Sequence, residues 1–388
     1  MPHEINSRVI NHPASNMLWG RAAGRCEFDG CNRLLSRSPV TQESVNIAER
    51  AHIWSFSNDG PRGNDGIDDE SLNDTVNLML MCHDCHKKMD KENDGGRYTV
   101  ELLQAWKAGH EYRVELVTGI NPSKRSHVLM YGANVGDQAA PLDFNLTGTA
   151  MFPDRYPAEA QPIRLGMTNS AWRDRDPEFW NIEETNLLRQ FKDRVEPRLS
   201  QGEILHLSTF GFAPQPLLIR LGACLSDISD VDVYQLRREP RGWQWASTSP
   251  SFEVVVDRPT TFAGQPALVI GISATITPDR IQRVLGRDAV IWTVRASTPH
   301  NDWLQSRDQL RALRKCFRQM LNEIKAVHGQ TTTIHAFPAM PVAAAVELGR
   351  VRMPKADAPM LIYDQVNDRD GFVPAITLAG SVPQGEKK

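Results

Sequence analysis

The chain of 388 residues contains no run of about 18 apolar residues, the length that a transmembrane helix requires. Its first residues, MPHEINSRVINHP, lack the basic and then apolar pattern of a secretory signal. We therefore expect a cytoplasmic protein that has no membrane partner.

Cysteine is scarce, with six in the whole chain. So few cysteines exclude the disulfide framework of a small secreted domain. Four of the six fall in two close pairs: Cys26 with Cys31, and Cys82 with Cys85. Paired spacing in a reducing compartment indicates metal binding. Cys224 and Cys316 lie alone in apolar stretches, where we expect small buried side chains.

Length and composition predict a multidomain globular protein. The polar stretch TGINPSKRS combines a glycine with an Asn-Pro step, which favours a domain boundary near Gly119. The preceding stretch, TVELLQAWKAGHEYRVELV, predicts a helix that begins at a threonine cap. We predict a first domain at residues 1–120, a linker at 121–144 and a second domain at 145–388.

Positive charge is also in short supply. The net charge is −3, and residues 1–120 hold 13 Lys and Arg against 18 Asp and Glu. Affinity for nucleic-acid backbones comes largely from Lys and Arg. The first domain is therefore not expected to bind DNA tightly by itself, unless cations or several copies compensate.

The second domain alternates short apolar runs with helical patterns, which predicts βαβ units and a largely parallel sheet. The clearest helix is SRDQLRALRKCFRQMLNEIKAVHG, which has one apolar face and ends at Gly329. No G-x-G-x-x-G motif follows a strand, which argues against a dinucleotide oxidoreductase. No repeat of fixed period is present, and duplication of two βαβ halves stays an open alternative. The fold class is α/β overall.

The cysteine pairs have the spacings C-x4-C and C-x2-C, separated by a loop of about fifty residues. Four thiolates in this arrangement suit one tetrahedral Zn²⁺ that joins the ends of a small domain. The sequence therefore predicts a structural zinc site in which the metal supplies much of the stability of the domain.

The histidines near these cysteines need a separate explanation. The stretches AERAHIWSFSNDGPRG and NLMLMCHDCHKKMD give the order His52, Asn77, His86. Over roughly residues 20–95 this pattern resembles the HNH family of endonucleases. The resemblance implies a zinc-bound ββα-metal fold in which His52 is the general base, Asn77 holds the loop that orients it, and His86 ligates a catalytic Mg²⁺ or other divalent cation.

The sequence departs from the family pattern at Ala51, where many HNH enzymes carry a metal-ligating Asp or His. Either Glu49, Asp90 or water completes the coordination, or the site binds the metal weakly until several chains assemble. We expect His83 at the surface rather than on the metal. Arg62, in GPRG, and Lys87 are candidates for DNA phosphate contacts, although a plain turn residue is nearly as good an interpretation of Arg62.

The stretches HLSTFGFAPQPLLIRLG, IHAFPAMPVAAAVELGRVRMPKADAPMLIYDQ and AVIWTVRA resemble the SAVED domain over most of residues 145–380. The resemblance implies two fused CARF-type, Rossmann-like units that sense cyclic oligonucleotides. The domain order agrees with the HNH–SAVED effectors of bacterial CBASS anti-phage systems, in which a cyclic nucleotide switches on DNA destruction.

Ligands of open α/β sheets bind outside the carboxyl ends of the strands. In FPAMPVAAAVELG, a proline before a small-residue helix lets backbone amides approach a phosphate. Aromatic residues could stack on bases, although a core position is the better interpretation of each. The candidate ligand-binding residues are Phe210, Gln215, Trp292, Ser297, Pro338, Ala339, Met340, Lys355 and Tyr363.

The leading hypothesis is a DNA endonuclease that a cyclic di- or trinucleotide activates by promoting a homo-oligomer. The resemblance implies degradation of double-stranded DNA in abortive infection. One alternative is a restriction-type nuclease whose C-terminal domain recognises DNA sequence or a modified base. Two others are a non-enzymatic regulator and a zinc-stabilised DNA-binding module without catalysis.

Overall fold

The computed structural model describes residues 9–380, except 65, 92–95, 139, 168–169, 228, 247, 249–250 and 367–370. The chain divides into two compact units, unit 1 at Met1–Asn121 and unit 2 at Pro122–Lys388. Within the described ranges, no helix combines the length and the apolarity that crossing a membrane requires.

Unit 1 is built around an antiparallel hairpin followed directly by a helix. Its helices and strands are α1 (His12–Arg21), β1 (Ala48–His52), α2 (Asp69–Leu72), β2 (Leu78–Cys82), α3 (His83–Asp90) and α4 (Val100–Thr118). All five residues of β2, LMLMC, are buried, so this strand forms the centre of the small core. The threonine-capped helix predicted from the sequence is confirmed as α4, because the Thr99 side chain accepts from the amide of Leu102.

The described part of unit 2 contains two large sheets and a short two-stranded sheet within residues 237–242. The first half, residues 125–242, comprises β3 (Arg125–Gly132), α5 (Phe144–Ala150), β4 (Tyr156–Pro157), β5 (Ile163–Leu165), α6 (Phe179–Arg194), α7 (Glu196–Ser200), β6 (Leu207–Phe212), α8 (Gln215–Leu225), β7 (Val231–Tyr234), β8 (Arg237–Arg238) and β9 (Arg241–Gly242). The second half, residues 254–378, comprises β10 (Val254–Asp257), β11 (Pro266–Gly271), α9 (Pro278–Leu285), β12 (Val290–Ala296), α10 (Arg307–His328), β13 (Ile334–Ala339), α11 (Val342–Val351), β14 (Met360–Val366) and β15 (Gly371–Leu378).

The strand order confirms the predicted α/β class. The first sheet runs β4-β3-β6-β7, with β5 also paired to β3, and its pairings are parallel. The second sheet runs β10-β12-β11-β13-β14-β15, with four parallel strands between antiparallel edge strands. Crossover helices return the chain between parallel strands, as the alternating sequence pattern predicts.

The predicted linker at 121–144 is wrong, because it contains β3. This strand pairs with β6 and is largely buried, so it belongs to the core of the first sheet. The stretch RSHVLMYG is too short and too polar at its start to stand out from the TGINPSKRS segment before it. Pairing with strands more than seventy residues away supplies the stability that the local pattern does not indicate.

Helices α8 and α11 join the two halves of unit 2 at very close range. A Cβ on Gly222 would lie 1.9 Å from the carbonyl oxygen of Val346, and one on Gly349 would lie 1.9 Å from that of Ile219. Only glycine lets the two backbones approach so closely. The apolar residues on both helices contribute to one core that includes the facing sides of both sheets.

The long amphipathic helix predicted in the second half is confirmed as α10. Ser306 and Gln309 form a reciprocal capping box at its start, and Gly329 follows its last residue with a φ of 85°. Its apolar face is buried, as the sequence pattern predicts.

Candidate functional site

The four paired cysteines of unit 1 meet at one point. Cys26 and Cys31 lie in the turn after α1, Cys82 ends β2, and Cys85 lies in the first turn of α3. Their sulfur atoms all lie within 4.8 Å of one another, and those of Cys31 and Cys82 are 3.9 Å apart. Thiolates at about 2.3 Å from a tetrahedral zinc ion lie about 3.8 Å from each other, so this donor set fits Zn²⁺.

None of the six cysteines forms a disulfide, although four sulfurs lie close together. Burial raises the pKa of Cys26 to about 12 and also raises the pKa of Cys85. A bound cation reverses this effect, since a thiol that coordinates zinc is deprotonated. The cluster is therefore chemically suited to a metal and poorly suited to exist as free thiolates.

His52 ends β1, and Asn77 precedes β2 directly opposite it. The Asn77 side-chain oxygen accepts from the Trp54 amide at 2.7 Å, and its NH₂ donates to the carbonyls of Trp54 and Leu72 at 3.2 and 2.9 Å. Its own carbonyl accepts from the Ile53 amide at 2.8 Å. Asn77 thus fixes the two residues that follow His52.

The His52 ring is half-buried and keeps one nitrogen close to a neutral partner. Its Nε2 lies 3.1 Å from the side-chain oxygen of Asn73, and its ring centroid lies 5.6 Å from that of Phe56. An amide oxygen next to a ring nitrogen orients the imidazole without adding charge. The ring is held in place at the end of β1, where the loop to β2 begins.

A chain of alternating carboxylates and imidazoles connects β1 to α3. Glu49 contacts Nδ1 of both His83 and His86 through its two oxygens, and Nε2 of His86 lies 3.1 Å from Asp90. Glu49 and Ala51 are two residues apart on β1 and therefore share a face of the strand. Carboxylates and imidazoles are ligand types that suit a divalent cation. Here their atoms follow one another along a chain and do not converge as the four cysteine sulfurs do.

The electrostatics of this cluster favour charged groups. The hydrogen bond with Asp90, and then that with Glu49, raises the pKa of His86. Burial opposes ionisation of Glu49, yet its hydrogen bonds with His86 and His83 lower its pKa. To ligate a metal, His86 must lose its proton and release one of the two carboxylates.

His83 was expected at the surface, and its side chain is 63% exposed. Its Nδ1 nevertheless contacts Glu49, so it belongs to the cluster that the sequence pattern assigned to other residues. Its position at the first residue of α3, one turn before His86, is the signal that could have indicated this.

The proposed phosphate contact of Arg62 is wrong. Its side chain is only 3% exposed, and it donates to the carbonyl of Ile53 at 2.6 Å, the carbonyl of His52 at 3.3 Å and the carboxylate of Asp90 at 2.9 Å. The guanidinium therefore holds the loop after β1 against the end of α3. Lys87 is exposed on α3, as a phosphate contact requires.

In unit 2, the three aromatic residues proposed for base stacking lie in the core. Phe210 is fully buried and stacks on Tyr234 at 4.4 Å, and Tyr363, which is 5% exposed, stacks on Phe337 at the same distance. Trp292 is 2% exposed and donates its indole N–H to His328 at 3.3 Å. These rings are not available to a ligand, because neighbouring core side chains cover them.

The loops after β6 and β13 meet at the carboxyl ends of the two sheets. The Met340 amide donates to the side-chain oxygen of Gln215 at 3.1 Å. The Ala343 amide donates to the side-chain oxygen of Gln235, also at 3.1 Å. The side chains of two glutamines therefore already accept from backbone amides near the start of α11, the amides that the sequence suggested for binding a phosphate. The sequence analysis did not identify Gln235.

The other candidate residues divide between the two edges of the second sheet. Pro338 is buried, and the carbonyl of Ala339 accepts from the amides of Ile272 and Ser273 at 2.9 and 2.8 Å. Ser297 is exposed just after β12, at the same carboxyl edge.

Lys355 lies apart from the other candidate residues. It lies between the end of α11 and the start of β14, at the amino edge of the sheet. A ligand at the carboxyl ends of the strands lies a whole helix length away.

Two family models match the chain. Residues 26–93 match the model described as HNH endonuclease, and residues 187–378 match SAVED, the "SMODS-associated and fused to various effectors sensor domain". No curated protein matches the chain.

Solved structures with similarity to the chain include two receptors. One is the Cap4 SAVED/CARF-domain containing receptor of Acinetobacter baumannii with the cyclic trinucleotide 2'3'3'-cAAA, at 14% identity and a TM-score of 0.43, covering 80% of this chain and 66% of that one. The other is the Cap4 SAVED/CARF-domain containing receptor of Moraxella osloensis, at 12% identity and a TM-score of 0.40, covering 81% of this chain and 71% of that one. The chain thus spans just under two thirds of the length of the first receptor.

Proposed function

Because the chain carries an HNH endonuclease domain and a SAVED sensor domain, we propose that it is a metal-dependent DNA endonuclease activated by a cyclic di- or trinucleotide. The observation that carries the proposal is the occurrence of both matches in one chain, on two separate compact units. The substrate is double-stranded DNA, and the context is bacterial anti-phage defence by abortive infection.

In unit 1, hydrolysis of a phosphodiester requires a base that activates water. His52 is the proposed base, because an imidazole titrates close to cellular pH and the ring is held at the end of β1, where the loop to β2 begins. Asn77 fixes the backbone on both sides of the Ile53–Trp54 peptide, which supports its role as the residue that orients His52.

The proposed cation site comprises His86, Glu49 and Asp90, with His83 as a further donor. When bound, Mg²⁺ or another divalent cation supplies charge neutralisation at the scissile phosphate and the leaving oxygen. Arg62 positions Asp90 through its 2.9 Å ion pair. Zn²⁺ on the four cysteines is the structural metal.

The acidic nuclease unit explains why activation accompanies assembly in this proposal. Residues 1–120 carry a net charge of −5, so one copy binds the DNA backbone weakly. A ligand-promoted homo-oligomer brings several such units together and raises their effective concentration on one duplex without any new contact.

The test is a plasmid-cleavage assay with Mg²⁺ and a panel of cyclic oligonucleotides. The panel holds cyclic di-AMP, cyclic di-GMP, cyclic GMP-AMP, cyclic di-UMP and cyclic tri-AMP. We expect little cleavage without ligand, cleavage with at least one ring, and loss of that cleavage in EDTA.

Thermal unfolding of the same samples separates the alternatives. A sensor is stabilised by a micromolar ring that it binds, whereas a protein that recognises DNA sequence is not. Full cleavage by the unliganded protein would support the restriction-type alternative. Ring binding without cleavage under any condition would support a non-enzymatic regulator.

A further inference from the structure

The two halves of unit 2 repeat one structural unit. In the first half, β6 leads through Pro214 into α8 and then into β7, and in the second half β13 leads through Pro341 into α11 and then into β14. Both prolines are the N-cap residues of their helices. The open alternative of a duplicated βαβ half is thus the arrangement that the structure has.

The aromatic stacks repeat as well. Phe210 on β6 stacks on Tyr234 at the end of β7, with centroids 4.4 Å apart and planes at 17°. Phe337 on β13 stacks on Tyr363 of β14, with centroids 4.4 Å apart and planes at 15°. The residues that follow the two tyrosines, Gln235 and Asp364, therefore occupy equivalent positions at the carboxyl edges of the two sheets.

The equivalence fails in one chemical detail. Gln235 accepts a hydrogen bond from the amide of Ala343, the second residue of α11. The second residue of α8 is Pro216, which has no N–H to donate to Asp364. Among the residues that the structure describes, no side chain donates a hydrogen bond to Asp364, and only the backbone amide of Gln365 acts on its carboxylate.

The surroundings of Asp364 make an ionised carboxylate costly. Burial raises its pKa to about 7, and the negative charge of Asp174 acts in the same direction. Asp174 is itself held by the amide of Gly136 at 2.8 Å. Asp364 is half-buried, so its carboxylate is partly removed from water, and a partner that donates a hydrogen bond would stabilise its ionised form.

This inference rests on the proposed function, because it places the cyclic oligonucleotide at this carboxyl edge. The ionised form of Asp364 would repel the phosphates of such a ring and would instead accept a hydrogen bond from a donor on the ring. The exocyclic amino groups of adenine, guanine and cytosine are donors of this kind. Uracil has no amino group, and its one base donor, the N3–H, lies at a different position on the ring edge. We propose that Asp364 binds the amino group of one nucleobase and thereby selects against uracil at that position of the ring.

The experiment measures binding of cyclic di-AMP, cyclic di-GMP, cyclic tri-AMP and cyclic di-UMP to the full chain by calorimetry. We expect the wild type to bind at least one amino-bearing ring at least about tenfold more tightly than cyclic di-UMP. Asp364→Leu should weaken the binding of that amino-bearing ring by about 10- to 100-fold, because its base loses its acceptor. The affinity for cyclic di-UMP should stay unchanged. Asp364→Asn, which keeps a carbonyl oxygen, should retain most of the selectivity.

The matched control is Asp288→Asn, which removes one negative charge from an exposed residue just before β12, at the opposite edge of the sheet. It should bind every ring as the wild type does. Thermal unfolding of each variant establishes that unit 2 is folded, and removal of a half-buried carboxylate that has no side-chain donor should not lower its Tm.

The outcomes separate the inference from the function on which it rests. If no ring binds the wild type, the sensor function fails. If a ring binds and Asp364→Leu binds it equally well, the sensor stands and the role of Asp364 is refuted. If Asp364→Leu weakens cyclic di-UMP as strongly as the amino-bearing rings, Asp364 binds a ribose hydroxyl and the base-selection proposal is wrong.

Discussion

Asn77 shows how one buried amide can prepare a neighbour for chemistry. Its side chain is 7% exposed and satisfies backbone groups of Trp54 and Leu72, so the chain leaves β1 in one conformation. Arg62 supports the same turn from the other side by binding the carbonyls of His52 and Ile53. The position of His52 therefore depends on two residues that need not touch a substrate.

The first prediction concerns His52. Replacing it with alanine should lower ligand-activated plasmid cleavage by at least about a hundredfold, because a general base contributes to the transition state. Ring binding and particle size should stay as in the wild type. The change is measured by cleavage rates beside calorimetric titration.

Lys87→Ala is the contrasting variant, since Lys87 is exposed on α3. It should weaken DNA binding in a salt-dependent manner without abolishing turnover at saturating DNA. Substantial cleavage by His52→Ala would exclude His52 as the base.

At the scale of elements, the two cysteine pairs of unit 1 join segments that are far apart in the sequence. Cys26 and Cys31 lie before β1, whereas Cys82 and Cys85 lie at the junction of β2 and α3. One ion on all four sulfurs would close a loop that contains the whole hairpin. Such a clamp stabilises a domain by restricting its unfolded chain.

The second prediction follows from this clamp. Cys82→Ser should release zinc, unfold unit 1 and leave unit 2 folded, because Cys82 is buried and its amide also donates to the Cys26 sulfur. Elemental analysis should give one zinc per wild-type chain and none for the variant. Cys224→Ser, in α8, is the control and should keep its zinc. A zinc-free wild type would refute the assignment.

The third prediction concerns the crossing of α8 and α11. Gly349→Ala should destabilise unit 2 by about 1–3 kcal/mol or more, since its Cβ would meet the carbonyl oxygen of Ile219 at 1.9 Å. Chemical denaturation measures the loss. Gly109→Ala in α4 is the matched control, because nothing lies within 4 Å of its Cβ and alanine favours a helix by about 1 kcal/mol.

The sequence predicted those features whose determining residues lie close together in the chain. Helix α10 has its cap, its apolar stripe and its terminal glycine within one continuous stretch, and the zinc ligands occur as two short-range pairs. The burial of Arg62 was not predictable in this way, because its partners His52, Ile53 and Asp90 become neighbours only in the folded unit. The roles of Gln235 and Asp364 depend likewise on the register between two distant halves of the chain.

The alternating strand and helix patterns of unit 2 also left the surroundings of individual side chains undetermined. An apolar or aromatic residue near the end of a strand can face a core or a ligand, and the sequence does not separate these environments. Phe210 and Tyr363 belong to stacked pairs inside the sheets, so the packing of whole elements decided their positions.

At the scale of the whole molecule, the proposed function requires that a ligand at unit 2 controls chemistry at unit 1. The fourth prediction is that Ala339→Asp abolishes activation, because it places a negative charge beside the loops that would receive a phosphate. The measurement is plasmid cleavage and particle size as the ring is added. The zinc content should stay at the wild-type value, since Ala339 lies in unit 2.

Lys355→Glu is the charge control for this variant. It also adds negative charge to unit 2, but at the amino edge of the second sheet. It should respond to the ring as the wild type does. Equal loss of activation in both variants would indicate a general charge effect and would contradict binding at the carboxyl edge.

The repeat within unit 2 has a consequence for how such a receptor responds to its own abundance. Two equivalent βαβ halves packed through Gly222 and Gly349 are a pair fused into one polypeptide. A receptor assembled from two separate chains fills its pocket only when enough protein is present, whereas a fused pair is complete at any copy number. Fusion also frees each half to change alone. Aspartate at position 364, where the other half has Gln235, would then alter one side of the proposed ligand site and leave the other side as it was.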